Sequence, residues 1–229
     1  MVELSVVIPS LNESKNLDFV LPRLNSALTT TGLDYEILVV DTVNLDAATQ
    51  QVCKKNAATY LNRQPNNSYG SANRSGIKAA QGAHILIMDA DGSHEPEFIH
   101  KMLSFQDDFD IVIASRYAKG GASRATTKAI VMSRMLNATY GLVFGLNYAD
   151  LSNSFKLYKS EVLKKLDLKC ENFDIIQEIL VKARRNKPGL KIKEVPYIFQ
   201  ERVTGKSKRE TAKFIYTYLR TLCRLFLGG

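Results

Sequence analysis

Apolar residues run along the first half of this chain in two alternating rhythms. Short runs rich in β-branched side chains occur at 4–8 (LSVVI), 35–40 (YEILVV), 57–61, 84–88 (HILIM) and 110–114 (DIVIA). Runs of that length with little polar interruption predict strands buried on both faces. Between them, apolar positions recur at helical spacing, most clearly at Leu17, Val20, Leu21, Leu24 and Leu28, which predict a helix over 15–29. Further helices are predicted over 47–56, 69–80 and 95–105. Strand and helix alternate to about residue 115, the pattern of an α/β fold whose mostly parallel central sheet carries helices on both faces.

After Arg116 the texture changes. A basic, glycine-bearing loop (YAKGGASRATTK) leads into a predicted helix over 125–145, then a turn, a short strand and a short helix over 150–166. Ile175, Ile176, Ile179, Leu180 and Ala183 mark the inner face of a helix over 173–185. The stretch 191–199 alternates as a half-buried strand, and its Pro196 suits a sheet edge. No internal repeat or low-complexity linker interrupts the chain. Residues 1–205 are therefore expected to form one domain, in two halves that divide at about residue 115.

The remainder, 206–229, reads as a basic amphipathic helix. Lys206, Arg209, Lys213, Thr217, Arg220 and Arg224 fall within roughly 40° of Lys213 on a helical wheel at about 100° per residue. Phe214, Ile215, Tyr218, Leu219, Leu222, Leu225 and Phe226 cover much of the rest. A helix lying in an anionic membrane interface has this pattern, and so does a helix packed on its own domain with its charges in water.

Composition narrows the function classes. The 229 residues are 45% hydrophobic and 24% charged, as in ordinary globular proteins. No run of about 18 apolar residues predicts a membrane span, and the start has no basic region ahead of an apolar core, so no signal peptide is expected. Three scattered cysteines without a C-x-x-C argue against a disulfide framework or a zinc site and fit a reducing compartment. The net charge of +8 favours anionic partners. Nucleic acid is disfavoured among these, because the basic residues are not interleaved with aromatics on one strand face and no recognition motif is present.

The candidate chemistry centres on HILIMDADGSHEP, 84–96. If the strand continues to Asp91, Asp89 and Asp91 project to one side at the carboxyl end of the sheet, where open α/β sheets bind ligands. Two carboxylates so close repel unless a cation lies between them, and a hard divalent ion suits oxygen ligands. DADGS is equally the composition of a turn. Glu13 and Asp41, after the first and second strands, bring four acids to one edge, facing one crevice. A nucleotide diphosphate answers that arrangement with ribose hydroxyls, base N–H groups and a metal. His84, His94 and His100 lack metal-ligand spacing and read as structural or surface residues.

The segments VVIPSLNESKNL, EILVVD, ANRSGIKAAQG, ILIMDADGSHEPEFI, VIASRY with KGG, DLSNSFKLY and ERVTGKSK stand in the order found in family 2 glycosyltransferases of the GT-A fold. Over about residues 3–210 the chain most resembles the polyprenyl-phosphate sugar synthases of that family, the dolichol-phosphate mannose synthase-like group. The resemblance implies that Pro9, Asn12, Glu13 and Asp41 hold the nucleoside. It implies that Asp89 and Asp91, with Ser93, hold Mg2+ or Mn2+, and that Arg116, Arg134, Arg202 and Lys208 hold donor or acceptor phosphates. Two positions depart from the family pattern: Thr42 where a second acid is frequent, and Asn153 where a glycine is frequent.

The implied reaction is inverting transfer of a hexose from a nucleotide-diphosphate sugar to a polyprenyl phosphate, at the cytoplasmic face of a membrane on which the protein is peripheral. Asp91, Arg116 and Arg202 are the expected catalytic residues. A lipid phosphate is already anionic and needs no strong base. A saccharide hydroxyl acceptor would need one, and Asp150 and Glu178 are the candidates for it. A non-catalytic nucleotide-sugar sensor, suggested by Thr42, is a further alternative.

Overall fold

The computed structural model describes residues 1–202 and 211–228, with side chains for all of these except 211–214. Its strands are β1 (Leu4–Pro9), β2 (Tyr35–Asp41), β3 (Thr59–Asn62), β4 (His84–Ile87), β5 (Ile111–Ser115), β6 (Ala122–Ser123), β7 (Lys156–Lys159), β8 (Ile192–Pro196) and β9 (Ile198–Phe199). Its helices are α1 (Ser14–Thr29), α2 (Ala47–Lys55), α3 (Tyr69–Ala79), α4 (Ile99–Leu103), α5 (Thr127–Phe144), α6 (Ser160–Leu163), α7 (Ile175–Asn186) and α8 (Thr211–Phe226).

The uninterrupted apolar runs become the middle of one sheet of order β3–β2–β1–β4–β7–β5–β8. β1 pairs in parallel with β2 and β4, with Leu4 opposite both Tyr35 and His84. Every residue of β1 is buried, because helices cover both faces. Val6 and Ile8 pack towards Leu17, Leu21 and Leu24 of α1. Val7 points the other way, into a cluster with Ile77 of α3, Ile176 and Ile179 of α7, and Tyr218 and Leu225 of α8. The mostly parallel α/β fold is thus as the sequence pattern implies.

Three details differ from the sequence reading. β7 runs antiparallel between β4 and β5, so a strand of the second half is stitched into the middle of the sheet. The stretch 95–105 is not one helix but a 3₁₀ turn at Pro96–Phe98 followed by the short α4. β4 stops at Ile87 rather than continuing to Asp91, so strand alternation does not bring Asp89 and Asp91 to one side.

α3 lies very close to the sheet. A Cβ at Gly76 would stand 2.3 Å from Val7 Cγ1 and 3.1 Å from Val40 Cγ2. The glycine is there because the helix needs the approach, despite its poor helix propensity. Gly76→Ala is expected to cost about 1–3 kcal/mol through overpacking. In a thermal melt that is a fall in Tm of roughly 2–4 °C per kcal/mol. An unchanged Tm would mean the helix has room to retreat.

Candidate active site

The carboxyl edge of the sheet opens into a cleft of about 620 Å³. Glu13, Asp89, Asp91 and Arg202 line it, with Pro9, Ser10, Arg63, the 66–69 segment and 171–173. Each carboxylate is held by a different device.

The chain leaves β1 through Asn12, whose φ of 54° is a left-handed conformation that asparagine tolerates. That turn aims the Asn12 N–H at Asp41 Oδ1, 3.0 Å away. Asp41 is fully buried beneath the cleft rather than facing it, and its Oδ2 has no hydrogen-bond partner among the described residues. Glu13 precedes α1, and its Oε2 accepts from Asn16 Nδ2 at 2.6 Å. Thr42, at the position of the frequent second acid, closes its own loop by donating to Asn44 O at 2.5 Å.

Beyond β4, Met88 N–H still bonds Val7 O, and then the strand gives way to a turn. His94, fully buried, fixes that turn: its Nδ1 accepts from Asp89 N–H at 2.9 Å, leaving Nε2 to donate to Asn153 Oδ1 at 3.3 Å. Burial lowers the His94 pKa against the pull of Asp89 and Asp91, so the ring stays neutral. Asn153 also donates to Ala114 O at 2.6 Å, bonds a glycine would not make. Asp89 accepts from Tyr69 Oη at 3.0 Å on one oxygen and from Ser154 Oγ at 2.9 Å on the other. Burial and the Asp89 charge push the Tyr69 phenol well up, which keeps it a donor. Asp91 Oδ1 accepts from Ser93 N and Oγ, at 3.0 and 2.5 Å. Its Oδ2 pairs with Arg202 Nη2 at 2.7 Å, and Arg202 Nη1 stands 3.9 Å from Glu13.

The other expected residues lie elsewhere. Arg116 grips Asp150 through Nε and Nη2, both at 2.7 Å, and also reaches Ser133 and Ser152. Asp150 is fully buried and does not line the cleft, so it is not placed as a base. Burial acts to raise its pKa, but the Arg116 charge and hydrogen bonds outweigh it and hold it below 3.8. Glu178 is likewise buried away from the cleft, bound by Lys169 N, Cys170 N, Lys182 and Arg224. Burial acts to raise its pKa too, and those donors hold it down. Arg134 is exposed, its guanidinium 5.1 Å from the Tyr117 ring, which Arg116 approaches to 5.0 Å. Lys208 lies outside the described residues, as do Lys206 and Arg209.

Several residues that line or support the cleft carry no sequence signal of their own. Arg63, buried at the end of β3, donates to Asp41 O, Val40 O and Ser68 O, tying β2 to the 66–69 segment. Tyr69 and Ser154 reveal themselves only through contacts with a residue 20 or 65 positions away.

The family model for glycosyl transferase family 2 matches residues 5–167. The chain belongs to that family. Among curated family 2 relatives, the dolichol-phosphate mannosyltransferase of Pyrococcus furiosus is 33% identical over 231 aligned positions, covering 98% of this chain. The chain spans 64% of that relative's length. The polyprenol monophosphomannose synthase of Mycolicibacterium smegmatis is 30% identical over 89% of this chain and 79% of its own length. Among solved structures, mannosyl-3-phosphoglycerate synthase from Rubrobacter xylanophilus superposes with a TM-score of 0.79 at 16% identity, over 97% of this chain and 73% of that one. Glucosyl-3-phosphoglycerate synthase from Mycobacterium tuberculosis, in complex with Mn2+ and UDP-glucose, gives 0.73 at 17% identity, over 98% and 78%. The structural likenesses show the fold.

The Arg116–Asp150 pair gives a measurable prediction. Asp150→Asn leaves a buried guanidinium without its counter-ion and is expected to cost about 3–5 kcal/mol in urea unfolding at pH 6. The folded carboxyl titrates below its usual 3.8, so the pair's contribution is present above 3.8 and is lost as pH falls through the lower folded value. The gap between wild type and variant should therefore narrow only below about pH 3.8. A gap that is constant down to pH 2 would show that the charge is not the source.

Proposed function

We propose that this protein is an inverting, metal-dependent glycosyltransferase that moves a hexose, by its relatives' names mannose, from a nucleotide-diphosphate sugar to a polyprenyl phosphate. The convergence of Glu13, Asp89, Asp91 and Arg202 on one cleft at the carboxyl edge of the sheet carries this reading, supported by the likeness to polyprenyl-phosphate mannosyltransferases of family 2.

Pro9, Asn12, Glu13 and Asp41 are assigned to the nucleoside end. Asp41 Oδ2 and Ser10 Oγ, without hydrogen-bond partners among the described residues, are buried acceptor-capable atoms that a nucleoside's donors suit. Asp91 and Asp89, with Ser93, offer hard oxygen ligands of the kind Mg2+ and Mn2+ take. Among the described residues no cluster of three or more His, Cys, Asp or Glu forms, so diphosphate and water oxygens would complete the shell. A divalent ion there would supply Lewis-acid stabilisation of the leaving diphosphate.

Arg202 sits on Asp91 and within reach of Glu13, neutralising the carboxylates in the absence of other cations. A guanidinium at that position suits a phosphate, which arginine binds with two parallel donors. Arg116 and Arg134 both approach the Tyr117 ring, Arg116 while paired with Asp150, and we assign this pair of cations to the acceptor phosphate. An anionic phosphate nucleophile needs no base, in keeping with the engagement of Asp150 and Glu178 by their own cations.

The acceptor implies a membrane surface, and we place the protein at its cytoplasmic face as a peripheral protein. No helix among the described residues is long and apolar enough to cross a membrane. α5 and α8 instead expose Val131, Met135, Leu142, Ile215, Leu219 and Phe226. Lys128, Arg134 and Arg220 stand exposed on the same two helices, the mixture that suits an anionic interface.

The test is transfer of labelled sugar from GDP-mannose or UDP-glucose to a polyprenyl phosphate with Mn2+, alongside thermal shift. Wild type should transfer, and nucleotide sugar should raise its Tm only with metal present. Asp91→Ala should lower kcat by about 10²–10³, the usual loss when a charge-stabilising group is removed, and should abolish the metal-dependent shift. Transfer to a saccharide hydroxyl instead of the lipid phosphate would overturn the acceptor assignment, and no shift with any nucleotide sugar would overturn the donor site.

A further inference from the structure

The segment 169–174, between α6 and α7, is bound on two sides. On the cleft side, Glu171 Oε2 accepts from Ser68 Oγ at 2.5 Å and Asn66 Nδ2 at 3.0 Å. Its Oε1 accepts from Arg74 at 2.7 Å. Gly70 N–H donates to Glu171 O at 2.8 Å, and a Cβ at Gly70 would strike the Cys170 carbonyl. Phe173 stacks on Tyr69 with ring centres 4.4 Å apart, and Tyr69 is the residue that donates to Asp89. Glu171, Asn172 and Phe173 thus form one wall of the cleft.

On the opposite side the same segment is latched to α8. Thr221 Oγ1 donates to Asp174 Oδ2 at 2.6 Å and lies 3.3 Å from Cys170 Sγ. Arg224 Nη2 reaches Cys170 Sγ at 3.0 Å and Glu178 Oε1 at 2.9 Å. Glu178 in turn accepts from Lys169 N and Cys170 N, at 3.0 and 2.8 Å. Thr221, Asp174 and Glu178 are buried, so these bonds have no ready exchange with water. The sequence pattern put Arg224 and Thr217 on one outward basic stripe. Arg224 instead turns inward, because a buried carboxylate waits there. Ordinary docking of α8 needs only Tyr218, Leu222 and Leu225 in the core, and the polar latch is additional to it.

We propose that Thr221 and Arg224 are positioning residues for the donor: they act through 169–174 to set the wall of the nucleotide-sugar cleft and, through Phe173 and Tyr69, the pose of Asp89. This rests on the reading that the cleft holds the nucleotide sugar. Neither residue lines the cleft, so any effect on the donor passes through the segment between them. The exposed face of α8 is then mechanically tied to donor binding.

The test uses the full chain with MnCl2 and a nucleotide sugar (GDP-mannose and UDP-glucose in parallel), measuring Kd by titration and steady-state KM and kcat. Thr221→Val keeps shape and removes the donor to Asp174. Arg224→Gln is a milder change at a partly exposed position, and it serves if the first variant folds poorly. Cys223→Ser, exposed on the same helix, is the control. Donor Kd and KM should rise about three- to tenfold in both variants, within the range of coupling carried through a packed network. Acceptor KM and kcat at saturating donor should stay within about twofold, and Thr221→Ser should restore donor affinity. A simple packing defect would lower Tm and active fraction without that split or rescue. Unchanged donor Kd in both folded variants, with wild type binding, overturns this proposal alone. A wild type that binds no nucleotide sugar overturns the donor reading and this proposal with it.

Discussion

The arrangement of this protein follows from one electrostatic constraint: carboxylates crowd the carboxyl edge of a buried sheet. Asp41 ends β2, and Glu13, Asp89 and Asp91 follow β1 and β4, strands whose buried residues are mostly apolar and supply little to stabilise their charge. An unpaired buried charge is among the most costly things a fold can hold. Each acid accordingly has its own compensation: a backbone N–H from a left-handed Asn12 on Asp41, the Asn16 amide on Glu13, two neutral hydroxyls on Asp89, a serine and an arginine on Asp91. The chemistry of the compensators differs in a useful way. Hydroxyls and N–H groups hold a carboxylate without neutralising it, which leaves Asp89 with charge to offer a cation. Arg202 does neutralise Asp91, through a guanidinium 2.7 Å from its Oδ2.

The sheet was legible because its strands are buried on both faces and so read as unbroken apolar runs. The alternation of those runs with helical spacing carried the parallel order as well. β7 was not legible as an antiparallel insertion, because KLYK reports a strand and nothing in four residues reports its direction. The D-x-D was legible as chemistry but not as geometry. The expectation of a continuing strand failed because Asp89 N–H is taken by His94 instead of a ladder partner. A sequence reader sees His94 as a lone histidine; its role depends on Asn153, 59 positions away.

Charge was the least legible property. An arginine in a sequence looks the same whether it faces water, a phosphate or a buried acid. Arg116 and Arg224 both find carboxylates that the chain buries elsewhere, Asp150 and Glu178. Those two acids looked like available bases for the same reason. The resolving information is pairwise and long-range, and no window of local sequence contains it. Asp41 is the converse case: a strand-end acid that looks like a cleft residue, yet the turn at Asn12 covers it.

The compensation also explains why the two halves of the chain form one sheet. The acids belong to the first half, and the second half completes their set of partners with one hydroxyl, one cation and one residue that shapes the turn between Asp89 and Asp91. Ser154 serves Asp89, Arg202 serves Asp91, and Asn153 holds the histidine that shapes the turn between them. β7 carries this loop into position by entering the sheet beside β4, the strand that bears the D-x-D. Lys156, on that same strand and fully buried, spends its ammonium on the carbonyls of Leu151 and Asn153, which fixes the loop from below. Burial drives its pKa down to about 7 even though Asp150 pulls the other way, so the geometry of the loop is secured where the ammonium is costly to keep. A first half folded alone would keep Asn12, Asn16, Tyr69 and Ser93 but would lack the second hydroxyl on Asp89 and the cation on Asp91. The antiparallel strand in an otherwise parallel sheet is the means by which the second half delivers them.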